Sequence, residues 1–322
     1  MNLTIFNSDV IASKNLDNYP TLKQFDKISI FLKFCPSEDE AEIISNLIDY
    51  NRDKIEIILN GKISDFEGFV FLRKMNNLNS LLLEVRGKEM DFSILRDFDN
   101  LKKLKVTIIG LEKEVPLSDF IEQLKNLETL VVSNKLSELA FINSLHSLKS
   151  LFIANNTIDF KKVVNLDSLV KMSLGMCEIR NYKPDIFFRA IKFIGLFGMY
   201  KLRDLSFVSM APNLEFLELD SMNRNFYLPD FSENKNLKKI LIDGKKTFDY
   251  SNITTSSSLE EIVLLNNKCL PYDFILTIGE MRNLKKVYIE NICDIDISTI
   301  SDILQKEYIS DAYMRELGQS GI

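Results

Sequence analysis

One short apolar motif recurs along the whole 322-residue chain and constrains its fold more than any other feature. Its form is apolar-x-x-apolar-x-apolar. It stands as Leu101-Leu104-Val106, Leu127-Leu130-Val132, Leu148-Leu151-Ile153, Leu169-Met172-Leu174 and Ile191-Ile194-Leu196. It continues as Leu214-Leu217-Leu219, Leu237-Ile240-Ile242, Leu259-Ile262-Leu264 and Leu284-Val287-Ile289. Upstream, Leu78-Leu81-Leu83 fits well, Phe25-Ile28-Ile30 less well, and Arg52-Ile55-Ile57 keeps only its last two anchors. The twelve first positions are separated by steps of 21 to 27 residues. Asn or Ser often stands just before the first anchor, as at Asn77, Asn126, Ser168, Asn213, Asn236, Ser258 and Asn283. A period of this size marks a repeat architecture.

The last two anchors are two residues apart, so they share one face of a short strand. A return segment of about 15 residues then brings the chain back, and the next strand adds parallel to the last. Apolar residues punctuate these returns. One sits three before the first anchor in most repeats (Met75, Phe98, Leu124, Leu145, Leu166, Phe188, Ala211, Met281). Further back come Ile94-Leu95, Phe120-Ile121, Phe141-Ile142, Val163-Val164 and Phe207-Val208. The spacing predicts a buried spine. A chain that coils needs few hairpins, which accounts for only 11 Gly and 7 Pro.

The motif resembles the leucine-rich repeat family, whose pattern is L-x-x-L-x-L-x-x-N/C-x-L. Two repeats match it throughout: Leu148-Leu151-Ile153-Asn156-Ile158 and Leu169-Met172-Leu174-Cys177-Ile179. A third, Leu259-Ile262-Leu264-Asn267, has Cys269 at the last anchor with Leu270 beside it. The resemblance implies an α/β leucine-rich repeat solenoid. It would be a curved horseshoe with about twelve parallel strands on the concave face and an irregular or short-helical convex side. In the family the Asn bonds backbone groups of neighbouring turns. Here Ile109, Lys135, Met199, Met222 and Lys245 occupy that position, which implies a less regular bend after those strands.

Residues 1–322 are expected to form one solenoid domain. Within it, 1–50 make an N-terminal capping strand and helix, 51–295 the repeats, and 296–322 a C-terminal capping helix and tail. Ser37 and Glu40 have the capping-box spacing, and Ala41, Ile44, Leu47 and Ile48 follow at helical intervals, predicting a helix over about 38–50. Ile297, Ile300, Ile303 and Leu304 predict another starting near Ser298.

Composition narrows function. The net charge of −6 argues against a dominant nucleic-acid role. Cys35, Cys177, Cys269 and Cys293 form no metal-binding pair, and His146 is the single histidine, so neither a zinc site nor a His-based triad is expected. Gly195-Leu196-Phe197-Gly198 overlaps a repeat strand and is no phosphate loop; Gly195 reads as a place of close approach. Asp294 and Asp296 are too few to hold a cation. No leader or membrane-length apolar run is visible, so a cytoplasmic protein with reduced thiols, no cofactor and no metal is expected.

What remains is a surface. Strand residues between the anchors must face outward. They are Lys27, Lys54, Lys103 and Lys105 early, then Val131, Phe152, Phe193, Phe197 and Phe216. Glu218, Asp220, Leu241, Asp243, Glu261, Val263, Leu265, Tyr288 and Glu290 follow. This order predicts a basic start, an aromatic centre and an acidic and apolar end. A contiguous exposed aromatic row suits a protein partner. The expected function is non-catalytic protein–protein recognition through Val131, Phe152, Phe193, Phe197, Phe216, Glu218, Asp220, Leu241, Asp243, Glu261, Val263 and Tyr288. The resemblance implies a sharper form, an inhibitor or immunity-type protein. An adaptor or scaffold, an internalin-type surface adhesin, and self-association through the same face are the alternatives.

Overall fold

The computed structural model describes residues 2–6, 22, 24–111, 114, 117–164, 166–181, 188–222, 226–244, 249–266, 272–290 and 307–308. They divide into two compact units, residues 1–156 with 162–168, and residues 157–161 with 169–322.

The first unit stacks seven strands in chain order: β1 (Asn2–Phe6), β2 (Lys27–Leu32), β3 (Ile55–Leu59), β4 (Ser80–Arg86), β5 (Lys103–Ile109), β6 (Thr129–Val132) and β7 (Ser150–Ala154). Every neighbouring pair is parallel. The second unit holds β9 (Lys171–Gly175), β11 (Phe193–Phe197), β12 (Phe216–Asp220), β13 (Lys239–Asp243), β14 (Glu261–Leu265), β15 (Lys286–Ile289) and β16 (Glu307–Tyr308), again all parallel. A small parallel ladder of β8 (Thr157–Asp159) and β10 (Glu178–Arg180) lies beside them.

The anchors explain the stack. Leu104, Leu130, Ile194, Leu217 and Ile240 are all wholly buried, and each faces its counterpart in the next strand. Each such side chain contributes roughly 1.5–3 kcal/mol by leaving water, and does so only when a neighbouring repeat covers it. The returns supply the other wall of the core. Met75, Phe98, Leu124, Leu145, Leu166, Phe188 and Ala211 are buried as expected, whereas Met281 is half-buried and Val164 is 58% exposed. Phe160 meets Phe188 edge-on at 5.5 Å and lies 6.3 Å from Phe207, so the spine is partly aromatic. Four returns are single 3₁₀ turns: Ser93–Asp97, Ala140–Ser144, Ser206–Met210 and Ser251–Thr255. Among the described residues the true helices are α1 (Glu38–Asn51), α2 (Ser118–Ile121) and α3 (Tyr272–Gly279). In α1, the Ser37 side chain accepts from the Glu40 amide, and the Glu40 carboxylate accepts from the Ser37 amide at 2.6 Å. The helix expected near Ser298 lies outside the described residues. No described helix is long and apolar enough to cross a membrane.

Polar ties bind repeat to repeat. Asn126, Asn213 and Asn283, each just before a first anchor, donate to the carbonyls of Asp99, Arg189 and Ser257 one repeat earlier. Ser168 does the same to Leu148. Asn156 accepts from the Leu136 amide at 2.7 Å and donates to the carbonyls of Asn134 and Ala154. Cys177 takes the equivalent place one repeat on, its buried thiol donating to the carbonyl of Gly175. Charges tie the strand starts as well. Lys149 meets Glu128, Lys192 meets Glu215 and Lys285 meets Glu260, at 2.6–2.9 Å.

Two sequence expectations need correction. Ile57 pairs with Leu81 and Leu59 with Leu83, while Ile30 pairs with Ile57. The equivalent motifs are therefore Lys27-Ile30-Leu32 and Lys54-Ile57-Leu59, two residues later than the sequence suggested. A two-residue shift keeps each side chain on its face, so the inward and outward sets stand. Second, Asn134, not Lys135, does the bonding after β6. Its side chain accepts from the Ile108 amide and donates to the Ile108 carbonyl.

Candidate recognition face of the strands

The outward positions of the second unit fall into rows fixed by register. The first row runs Lys171, Phe193, Phe216, Lys239, Glu261. The second runs Ser173, Gly195, Glu218, Leu241, Val263, Tyr288. The third begins Gly175, Phe197, Asp220, and Asp243 and Leu265 stand opposite each other further along.

The first row is a built array. The Phe193 and Phe216 rings meet edge to face with centroids 5.1 Å apart. Lys171 Nζ lies 4.5 Å from the Phe193 ring centre, and Lys239 Nζ 5.3 Å from that of Phe216. Lys239 also pairs with Glu261 at 2.7 Å. A ring face attracts cations through its quadrupole, so the two lysines hold the aromatic pair upright between them. Sequence reasoning missed Lys171 and Lys239 as members of the face, although both obey the same outward offset that found Phe193 and Phe216.

Gly195 gives the array its floor. A Cβ there would lie 2.8 Å from the Phe197 ring and 2.9 Å from the Phe193 ring. Both rings thus fold over a position where a Cβ would force one of them to shift, which is the close approach the sequence suggested. Glu218 stands across from Gly195 on the next strand. It is half-buried, and among the described residues no hydrogen bond or ion pair reaches it. Burial raises its pKa above the ordinary carboxylate value and Asp220 adds to the rise, while Lys171 and Lys239 oppose it from a distance. Asp220 accepts from the Ser221 hydroxyl at 2.8 Å and Asp243 from the Asn266 amide at 2.7 Å.

The far end of the rows differs. Val263 and Tyr288 are only 1% and 4% exposed and form a small apolar cluster with Leu241 and Leu265. They were expected to meet solvent and instead pack among themselves. Val131 and Phe152 belong to the first unit, where they are half-buried register neighbours on β6 and β7. The early lysines do not make a free basic patch. Lys27 and Lys103 both pair with the buried carboxylate of Glu56, Lys105 pairs with Glu84, and Lys54 donates to the Phe25 carbonyl.

No family model matches the chain, and no curated protein matches it. Solved structures do. An internalin, inlF, of Listeria monocytogenes is 20% identical and aligns over 89% of this chain and 80% of its own, with a TM-score of 0.59. A leucine-rich repeat protein of Leptospira interrogans is 18% identical over 96% of this chain and 90% of its own, with a TM-score of 0.57. Toll, from its complex with Spatzle in Drosophila, is 15% identical with a TM-score of 0.50, and the match covers 46% of that chain. Together with the parallel strands and short returns, these likenesses establish the fold as a leucine-rich repeat solenoid.

Proposed function

We propose that this chain is a non-catalytic protein-recognition module whose partner docks on the outward strand face of the second unit. The Phe193–Phe216 pair carries the reading. Two aromatic rings, braced by Lys171 and Lys239 over a glycine floor, stand on the solvent side of the sheet instead of in the core. Rigid aromatic groups of this kind are the usual anchors of protein interfaces. Neighbouring strands are about 4.7–4.9 Å apart, so the six strands β9 and β11–β15 offer a face on the order of 25 Å wide. That breadth fits a protein surface better than a small ligand.

The sharper form of the reading is an inhibitor or immunity-type protein that covers an enzyme or toxin, since broad contact without chemistry suffices for blockade. An adaptor, a scaffold or an internalin-type adhesin would use the same face, and the identity of the captured partner separates them. Affinity purification from the source cells tests the reading, with Phe216→Ala and Phe152→Ala proteins as controls. The wild type should retain a partner that Phe216→Ala loses. Equal capture by all three folded proteins would overturn the strand face as the docking site. Dissociation of a dimer by Phe216→Ala would assign the face to self-association instead.

A further inference from the structure

We propose that the partner's central contact is a basic side chain, arginine foremost, laid on the carboxylates of Glu218, Asp220 and Asp243 beside the Phe193–Phe216 pair. The proposal rests on the strand-face reading above and names the chemistry that face selects.

Its basis is a contrast within the molecule. Elsewhere on these strands and at their starts, carboxylates carry a lysine partner: Glu56 with Lys27 and Lys103, Glu84 with Lys105, Glu128 with Lys149, Glu215 with Lys192, Glu260 with Lys285, Glu261 with Lys239. Acid and base alternate from repeat to repeat. At the ends of β12 and β13 that alternation stops. Glu218, Asp220 and Asp243 lie together on the outward face, and among the described residues no lysine or arginine contacts any of them. The charge of Asp220 acts against that of the half-buried Glu218, so ionising both costs stability where they stand.

The nearby cations are already engaged. Lys171 sits over the Phe193 ring, and Lys239 is shared between the Phe216 ring and Glu261. The negative charge is left facing outward next to apolar walls, Phe197 in register with Asp220 and Leu241 in register with Glu218. A guanidinium fits this setting better than an ammonium. Its planar fork bonds two carboxylate oxygens at once, and its flat faces stack on rings. Displacing water from a half-buried carboxylate beside rings also strengthens the pair it then forms.

The test is selection of phage-displayed random dodecapeptides on three immobilised full-length proteins: the wild type, Phe216→Ala, and the triple variant Glu218→Gln, Asp220→Asn, Asp243→Asn. Circular dichroism first confirms that all three are folded. Peptides enriched on the wild type should carry Arg or Lys next to an apolar residue, and the synthetic peptides should bind the triple variant at least about 10-fold more weakly. They should also fail on Phe216→Ala. Peptides that need Phe216 but lack basic residues and bind the triple variant equally would overturn the charge proposal and leave the face reading standing. Peptides indifferent to Phe216, or no enrichment on the wild type, would overturn both.

Discussion

Phe193 and Phe216, one repeat apart in sequence, meet edge to face at 5.1 Å with their planes at 80°. An aromatic pair of this geometry carries about 0.5–1.5 kcal/mol beyond its buried area. A double-mutant cycle of Phe193→Ala and Phe216→Ala, read by urea denaturation, should return a coupling in that range. Additive effects would show that the rings stand side by side without supporting each other. In partner binding, Phe216→Ala should weaken affinity by about 2–4 kcal/mol, as loss of a central aromatic anchor does.

Gly195→Ala should disturb the same pair from below. Its methyl group would enter the space that the Phe193 and Phe197 rings occupy. Ile194 and Leu196, wholly buried on the opposite face, keep the strand in place. We expect a stability loss of about 1–3 kcal/mol from overpacking, together with a smaller Phe193–Phe216 coupling. An unchanged coupling in the Gly195→Ala background would mean that the rings do not depend on the glycine floor.

All twelve sequence motifs correspond to strands, because period and parity are the properties an apolar pattern reports most directly. β1 escaped notice for the same reason. Its register with β2 sets Asn2 opposite Lys27 and Ile5 opposite Ile30, and of these two motif positions only Ile5 is apolar. The two-residue offset at β2 and β3 went unseen because Ile28, Ile30, Ile55, Ile57 and Leu59 supply anchors in either frame. Only pairing with β4 distinguishes the frames. The candidate face was legible as a set of outward residues, since parity alone decides that. Burial of Val263 and Tyr288 was not, because it depends on what packs around an outward position. The neutralised lysines were hidden similarly: Lys103 and Glu56 are 47 residues apart in sequence and 3.1 Å apart in space.

Asn156→Ala should be among the costlier polar substitutions in the first unit. It would leave the Leu136 amide without its acceptor and the carbonyls of Asn134 and Ala154 without their donor, at a site only 5% exposed. Buried groups left unpaired cost about 1–3 kcal/mol. Asn156→Cys should recover part of the loss, since Cys177 serves the equivalent position with a bond to the carbonyl two residues back. Chemical denaturation of both variants checks this, and an unshifted midpoint for Asn156→Ala would refute the inter-repeat role.

Glu56 gives the fold an acid-sensitive point. Burial by itself would raise its pKa, but hydrogen bonds from Lys27 and Lys103, and their charges, hold it below the ordinary 4.5. A depressed carboxyl stabilises the fold above the unfolded value and loses that contribution as pH falls through the folded one. Glu56→Gln should therefore cost about 2 kcal/mol at neutral pH. The gap between variant and wild type should close as pH drops below 4.5. A gap that stays constant in acid would mean that the charge of Glu56 contributes nothing.

Glu218 should behave in the opposite sense. Its pKa is raised, by burial first and Asp220 second, against the pull of Lys171 on β9 and Lys239 on β13. The folded state then holds the proton more tightly than the unfolded chain, so ionised Glu218 opposes folding at neutral pH, and the penalty disappears as pH falls toward the unfolded value. Glu218→Gln should be more stable than the wild type at neutral pH and converge with it in acid, as denaturation at a series of pH values would show. Binding an arginine-bearing peptide stabilises the ionised form and so releases a proton near the raised pKa. Affinity of such a peptide should rise as pH is increased through that value in the wild type, and the Gln variant should lose this rise; a pH-independent wild-type affinity would remove Glu218 from the contact.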